Sequence, residues 1–218
     1  MDGDQESFAE LLKILGDDIG VCVDSLKEDP ANQFMRRTLV RTVFSYVDAS
    51  LFVLRQYACE YHEDYSCTLL AQVGPAETVP TLRKHFQRIL TIEELCALRE
   101  TTPQVGSDGK VRISPLFIKQ KNAVRFTFSM YGKSCGLNVT PDYSDNRWKL
   151  FQDSINVRNR ITHPKTVSNM SVTDDEVNAV VNACGWFFEA MNRASAKNIE
   201  LMKVVSAELG EFSKSKEE

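Results

Sequence analysis

Arg158, Asn159 and His163 are the residues whose types and spacing could do chemistry in this chain. Histidine can accept or donate a proton near neutral pH. The permanently charged, fork-shaped guanidinium of arginine can bind anionic oxygen atoms as negative charge develops on them. The amide of Asn159 could orient either side chain. All three lie near the end of a predicted helix that Pro164 stops, because proline disfavours helical backbone at the residue before it.

The helix that carries these residues is predicted to run over about 145–163, with Asp142 or Ser144 as its cap. Its apolar residues form two arcs: Trp148, Phe151 and Ile155 on one, and Leu150, Val157 and Ile161 on the other. Arg158 falls between the arcs, where a guanidinium is costly unless it is paired or serves a site. On a continued helix His163 would point about 140° away from Arg158. The helix end frays before the proline, however, so the ring can turn, and the helix dipole there favours the imidazolium.

Two long helices and a shorter one must position this segment. A helix over about 7–27 ends at Asp29-Pro30, and a longer helix follows over about 31–61. At about 1.5 Å per residue the second helix would exceed about 40 Å, which suits the spine of a helical bundle. A capping box at 173–176 opens a last helix that reaches about Leu209.

The middle of the chain is less regular. A capping box at 91–94 predicts a short helix over about 91–99, and residues 102–109 form a loop with a turn at 107–109. Residues 123–131 fit either a strand or a helix, and we favour the helix because an isolated strand would have nothing to pair with. The domain organisation that follows is given by four ranges: an N-terminal helix at 1–30 packed on a helical domain at 31–209, an irregular insertion at about 66–118, and a polar tail at 210–218.

The sequence Arg158-Asn159-x-x-x-His163 resembles the Arg-x(4–6)-His signature of the HEPN superfamily (higher eukaryotes and prokaryotes nucleotide-binding), including the polar residue after the arginine. The tryptophan-bearing helix before the motif, the His-Pro-Lys at its end and the acidic-capped helix after it are similar too. The resemblance covers about 31–203 and is weakest in the middle, which looks like an insertion. It implies an all-α fold, a HEPN-like bundle of long antiparallel helices.

The resemblance also implies a function, which is metal-independent cleavage of RNA without a cofactor. In that family the motifs of two protomers meet in a homodimer, and the RNA 2′-hydroxyl attacks the adjacent phosphate, leaving a 2′,3′-cyclic phosphate and a 5′-hydroxyl. By this resemblance His163 is the acid–base residue, Arg158 stabilises the phosphate and Asn159 orients either. Lys165 and Arg160 are candidates for RNA-backbone contacts, although surface cations are usually only solvated. A toxin or phage-defence effector, with an antitoxin or defence-system partner, fits the family.

A different class of function remains open, namely a catalytically inactive HEPN-like dimer that binds a protein partner. In that case Arg158 would be ion-paired to a neighbouring helix and His163 would bond the last helical carbonyls. A stripe on the long helix could line an RNA path or be a solvated face: Arg37, Arg41, Asp48 and Arg55. Cys59, His62 and Cys67, with Cys96 available, could be imagined as zinc ligands, but their spacing is irregular.

Composition limits how the chain could bind nucleic acid. Its formal net charge is −4 and its pI about 5.5, so binding through bulk electrostatics is not expected, and any RNA contact should be local and transient. The six cysteines lie in hydrophobic segments and are expected to be reduced core residues. The acidic N-terminus lacks the features of a signal peptide, and no apolar run approaches a membrane span, so the expected location is the cytoplasm.

Overall fold

The computed structural model describes the backbone of residues 2–72 and 89–214 and the side chains of residues 8–63, 89–200 and 203. The elements are, in chain order, α1 (Asp2–Glu28), α2 (Gln33–Gln72), α3 (Ile92–Leu98), β1 (Thr101–Val105), β2 (Val111–Pro115), α4 (Gln120–Cys135), α5 (Asn146–Thr162), a 3-10 turn (Val167–Met170) and α6 (Asp174–Lys214). Most described residues are helical, which confirms the predicted all-α class. None of the described helices carries an apolar stretch of the length needed to cross a bilayer.

The chain folds into two compact units, and the candidate motif lies in the first. Unit 1 contains Met1–Gln56, Ile118–Val124 and Asp142–Phe188. Unit 2 contains the remaining three segments: Tyr57–Phe117, Arg125–Pro141 and Glu189–Glu218. Helix α5 belongs entirely to unit 1, whereas α2, α4 and α6 each supply residues to both units. Residues 73–88, inside the insertion expected at about 66–118, lie outside the described part of the chain.

The long helices are where the sequence predicted them, with later ends. The break between α1 and α2 is confirmed: helix α1 ends at Glu28, and the Asp29 N–H still donates to the Ser25 carbonyl at 3.0 Å. Helix α2 runs to Gln72 rather than to Tyr61. The chain between those residues contains no glycine or proline, so nothing in it stops a helix. Helix α6 likewise passes the expected end at about 209 and reaches Lys214.

An aromatic cluster holds α5 in unit 1. Phe151 is 1% exposed; its ring stacks on Trp148 at 5.4 Å between centroids and lies 5.8 Å from Phe44 of α2 and 6.1 Å from Phe187 of α6. The buried side chains of α5 form one stripe at helical spacing: Trp148, Phe151, Ser154, Val157 and Ile161. Both apolar arcs expected from the sequence contribute to this stripe, Trp148 and Phe151 from one and Val157 and Ile161 from the other, and the small Ser154 lies between them.

The start of α5 corrects the predicted cap. Asp145 is the N-cap, and its carboxylate accepts a hydrogen bond from the Arg147 N–H at 2.8 Å. Asp142 instead accepts from the N–H and the hydroxyl of Ser144, at 2.8 and 2.6 Å. The side-chain hydrogen bond from Arg147 is the main cause that lowers the pKa of Asp145. The side chains of Asp142, Ser144 and Asp145 can all accept such a hydrogen bond, so the sequence alone did not identify which of them caps the helix.

Unit 2 contains a hairpin that the sequence did not predict. Strands β1 and β2 pair antiparallel, with Thr101 opposite Pro115 and Val105 opposite Val111. The expected loop over 102–109 is therefore wrong over its first residues, although the turn at 107–109 is confirmed. The capping box of α3 is present, and α4 is helical as favoured. Each strand has five residues and includes a proline, a pattern too short and irregular to be detected as a strand.

The described cysteines behave as core residues. Cys22, Cys59, Cys96, Cys135 and Cys184 are free, and all except Cys96 are buried, so the expected core position is confirmed for four of these five. Burial raises the pKa of Cys184 to about 12, so its thiol stays protonated at physiological pH. The side chain of the sixth cysteine, at position 67, lies outside the described residues.

Candidate active site

The C-terminal end of α5 carries the three candidate residues. The helix ends at Thr162, and His163 has left the helical conformation, with φ −123° and ψ 61°. Its backbone N–H still donates to the Asn159 carbonyl at 3.0 Å. His163 is exposed, and within the described part of the chain its ring has no hydrogen-bond or ion-pair partner. The expectation that the helix stops at this point is confirmed.

Arg158 lies beside the buried stripe of α5 and is held on two sides. Its Nη1 donates to Oδ1 of Asn159 at 3.1 Å, and its Nη2 lies 3.5 Å from Oδ2 of Asp48 on α2. The Arg158 side chain is 34% exposed, so it is partly accessible to solvent. Asn159 therefore contacts Arg158 through its side chain and His163 through its backbone, as an orienting residue would.

Asp48 is the feature of this site that sequence reasoning missed. Its carboxylate is 51% exposed and accepts a second contact, a 2.8 Å hydrogen bond from Nε2 of Gln120 on α4. The sequence placed Asp48 as an acidic residue within a basic stripe on α2, but helical periodicity does not state which neighbouring helix a stripe will face. The acidic residue within that stripe was the one available signal of a cationic neighbour.

Two arginines of α2 contact carbonyls of this region, Arg41 at the end of α5 and Arg37 in the 3-10 turn that follows it. Nη2 of Arg41 lies 3.5 Å from the carbonyl of Ile161, and Nη1 of Arg37 donates to the carbonyl of Met170 at 3.2 Å. Carbonyls at a helix C-terminus carry partial negative charge and attract cations. Arg55, at the far end of the same stripe, lies about 10 Å beyond Asp48 along the helix axis. Arg41 and Asp48, in the middle of the stripe, therefore contact α5, at Ile161 and Arg158.

The two residues expected to bind RNA occupy different surroundings. Arg160 ion-pairs with Glu176 at 2.8 Å and donates to the carbonyl of Ser171 at 2.9 Å, so its head group fastens the start of α6. Arg160 is therefore paired and is not merely solvated, the alternative weighed against RNA binding. Lys165 is exposed, and its backbone N–H donates to Oδ1 of Asn169 at 3.0 Å. Among the described residues its side chain has no hydrogen-bond or ion-pair partner. Lys165 therefore remains accessible to a ligand at the end of α5.

A shallow groove of about 360 Å³ lies between α5 and α6. Its lining includes three carboxylates, from Asp153, Asp175 and Glu176, together with Arg160. The excess of negative charge makes it unsuitable for a phosphate, and it contains none of the three motif residues. The groove is therefore not a candidate phosphate site.

Metal-ligand geometry and likeness to known proteins add little to this picture. Over the described residues, no three His, Cys, Asp or Glu side chains come together in a way that could hold a metal ion. The Nδ1 atom of His62, one imagined zinc ligand, instead accepts a hydrogen bond from the Leu90 N–H at 3.1 Å. No protein-family model matches the chain, and neither a curated protein nor a solved structure matches it. The function is therefore inferred from the motif residues and the side chains that contact them.

Proposed function

We propose that this chain is a HEPN-type, metal-independent endoribonuclease that acts as a homodimer in the cytoplasm. The observation that carries the proposal is the arrangement at the end of α5, where an exposed His163 and a part-exposed Arg158 are linked through Asn159. A solvent-exposed imidazole and a part-exposed guanidinium can supply the proton transfer and the charge stabilisation that cleavage of a phosphodiester by an internal hydroxyl needs.

The proposed reaction is transesterification. His163 removes the proton of the RNA 2′-hydroxyl, the 2′-oxygen attacks the adjacent phosphorus, and the bond from phosphorus to the 5′-oxygen breaks. Arg158 donates to the non-bridging oxygens as the phosphorane gains charge. The departing 5′-oxygen takes a proton from the second copy of His163 in the dimer, or from solvent. The products are a 2′,3′-cyclic phosphate and a 5′-hydroxyl.

Local charge supports an anionic substrate. The chain has a formal net charge of −4, yet Arg37 and Arg41 lie beside the motif and Lys165 is exposed at its end. A cationic patch on an acidic protein favours a brief, local contact with a nucleic acid over tight binding along its length. A homodimer that joins two such patches doubles the local charge. Such a nuclease would suit a toxin or phage-defence effector that an antitoxin or defence partner restrains.

The test is cleavage of total RNA by the purified protein in EDTA, with the product ends mapped. The variants are His163→Ala and a control, His62→Asn, which removes a histidine from unit 2 but keeps an acceptor for the Leu90 N–H. We expect the wild type and the control to produce 2′,3′-cyclic phosphate ends and His163→Ala to produce none. Undiminished cleavage by folded His163→Ala protein would remove His163 from the mechanism.

One observation favours a second candidate, a catalytically inactive dimer that binds a protein partner. Arg158 contacts Asp48 of another helix, as a purely structural arginine would. This candidate predicts no turnover of any RNA and no growth effect that depends on the motif. Induced expression of the wild type beside His163→Ala separates the two, because growth arrest by the wild type alone argues against a scaffold.

A further inference from the structure

We propose that Asp48 is a charge latch on Arg158, a carboxylate that neutralises the guanidinium until the substrate phosphate displaces it. The latch consists of Asp48 on α2, Gln120 on α4 and Arg158 on α5, all in unit 1. This inference rests on the proposed function, because it assigns a regulator to the same site. It adds a residue that the Arg-x(4–6)-His signature does not include.

The geometry of the contact makes displacement possible. Nη2 of Arg158 lies 3.5 Å from Oδ2 of Asp48, which is longer than the 2.7–2.9 Å typical of charge-assisted hydrogen bonds between arginine and an anion. A phosphate oxygen at that usual distance lies closer to the part-exposed guanidinium than Oδ2 of Asp48 does. The latch is therefore weak enough for a bound phosphate to replace it.

Gln120 fixes the latch in place. Its Nε2 donates to Oδ1 of Asp48 at 2.8 Å, so the carboxylate is held from the side of α4 while its other oxygen points towards Arg158. A carboxylate held by a neutral amide keeps its charge near the guanidinium and does not swing freely into solvent. Asp48 therefore lowers the positive potential at Arg158 in the absence of substrate.

Competition between two anions sets the expected effect. A phosphate that replaces Asp48 at Arg158 has two costs. It breaks the ion pair, and it then lies near the negative charge of the Asp48 carboxylate, which repels it. Replacing the carboxylate by an amide of the same shape removes both costs and retains a group that can interact with Gln120. Because exposed ion pairs contribute little, we expect Asp48→Asn to tighten phosphate binding by about two- to fivefold at low salt.

The experiment measures binding apart from cleavage. The probe is a fluorescent oligonucleotide in which every 2′-hydroxyl is replaced by hydrogen, so that it cannot undergo the proposed reaction, and affinity is read by anisotropy at low salt. The proteins are wild type, Asp48→Asn, Asp48→Ala and Asp153→Asn, the last removing an exposed carboxylate of α5 away from Arg158. We expect tighter binding by both Asp48 variants and a smaller change for Asp153→Asn.

A double-mutant cycle assigns the gain to Arg158. In the Arg158→Ala background, Asp48→Asn should give no gain, because the group that the latch neutralises is absent. The proposal is overturned if Asp48→Asn and Asp48→Ala bind the probe no more tightly than wild type, if binding is undetectable in all of them, or if the gain survives without Arg158. Circular dichroism of each protein establishes that the compared samples are folded.

The same proteins separate this inference from the proposed function. Cleavage of RNA that requires His163, with probe binding unchanged in the Asp48 variants, would leave the nuclease standing and remove the latch. Tighter, Arg158-dependent probe binding in the Asp48 variants, with no RNA cleaved by any protein, would support the latch and remove the nuclease. Both effects together, with the gain also seen in kcat/KM, would support both.

Discussion

Arg158 donates a 3.1 Å hydrogen bond from Nη1 to Oδ1 of Asn159, the residue that follows it in the chain. The carbonyl of the same asparagine accepts the N–H of His163 at 3.0 Å. Consecutive residues of a helix point in directions about 100° apart, so a side-chain bond between them needs the long arginine to bend back. This contact holds the guanidinium beside Asn159, within the last turns of α5.

Asn159 should therefore influence cleavage without carrying it out. We expect Asn159→Ala to lower kcat/KM for RNA by about tenfold, because a hydrogen bond that orients a charged group is lost. Asn159→Asp should lower it further, since it adds a second carboxylate beside Arg158. Asn159 is exposed, so the melting temperature of both variants should stay close to that of wild type. Equal activity of Asn159→Asp and wild type would contradict an orienting role.

Lys165 and Arg160 should respond differently to the same truncation. Lys165→Ala should weaken binding of an uncleavable RNA analogue and reduce the slope of log affinity against log salt by about one, as expected for one lost phosphate contact. Arg160→Ala should leave that slope unchanged, because its head group is paired with Glu176. It should instead lower the free energy of unfolding. A salt slope altered by Arg160→Ala alone would reverse these assignments.

Arg36 should matter for stability more than the other arginines of α2. It is 8% exposed, donates to the carbonyls of Pro30 and Val172 at 2.7 Å each, and ion-pairs with Asp174. Arg36→Met removes one donor from each carbonyl, with Nε2 of Gln33 still donating to Val172 at 3.0 Å, and it leaves Asp174 without its ion pair. We therefore expect the free energy of unfolding to fall by about 2–5 kcal/mol.

Urea denaturation at pH 7 measures the effect of Arg36→Met. The matched control is Arg41→Met, which removes an exposed arginine from the same helix and should cost less than about 1 kcal/mol. Equal losses in the two variants would show that burial of Arg36 does not determine its contribution.

Asp145 should make part of the stability depend on pH. Hydrogen bonds from Arg147 hold its folded pKa below the ordinary value of about 3.9. The ionised cap therefore stabilises the fold above pH 4, and this contribution is lost as pH falls through the lowered pKa. Asp145→Asn keeps a capping group but does not titrate. Melting temperatures from pH 7 to pH 3 should show wild type above the variant at neutral pH and the two converging in acid, whereas a constant difference would contradict the assignment.

Local sequence determined most of the helical framework. The stop at Asp29-Pro30, the capping boxes at 91–94 and 173–176, and the end of α5 before Pro164 are set by backbone preferences and by side chains within four residues. The non-helical backbone of His163 follows from the same local rule. These features need no knowledge of which helices become neighbours, and the sequence therefore predicted them.

Tertiary structure decided what surrounds the motif. Asp48 lies 110 positions before Arg158 in the chain, and Gln120 lies between them, so their meeting depends on how three helices pack. Helical periodicity gives the direction in which a side chain leaves its own helix but not the helix that it meets. The hairpin of β1 and β2 was missed for a related reason, since each short strand exists by pairing with the other. Sequence thus determined the chemical groups and the helix end that carries them, and packing determined the charges placed against them.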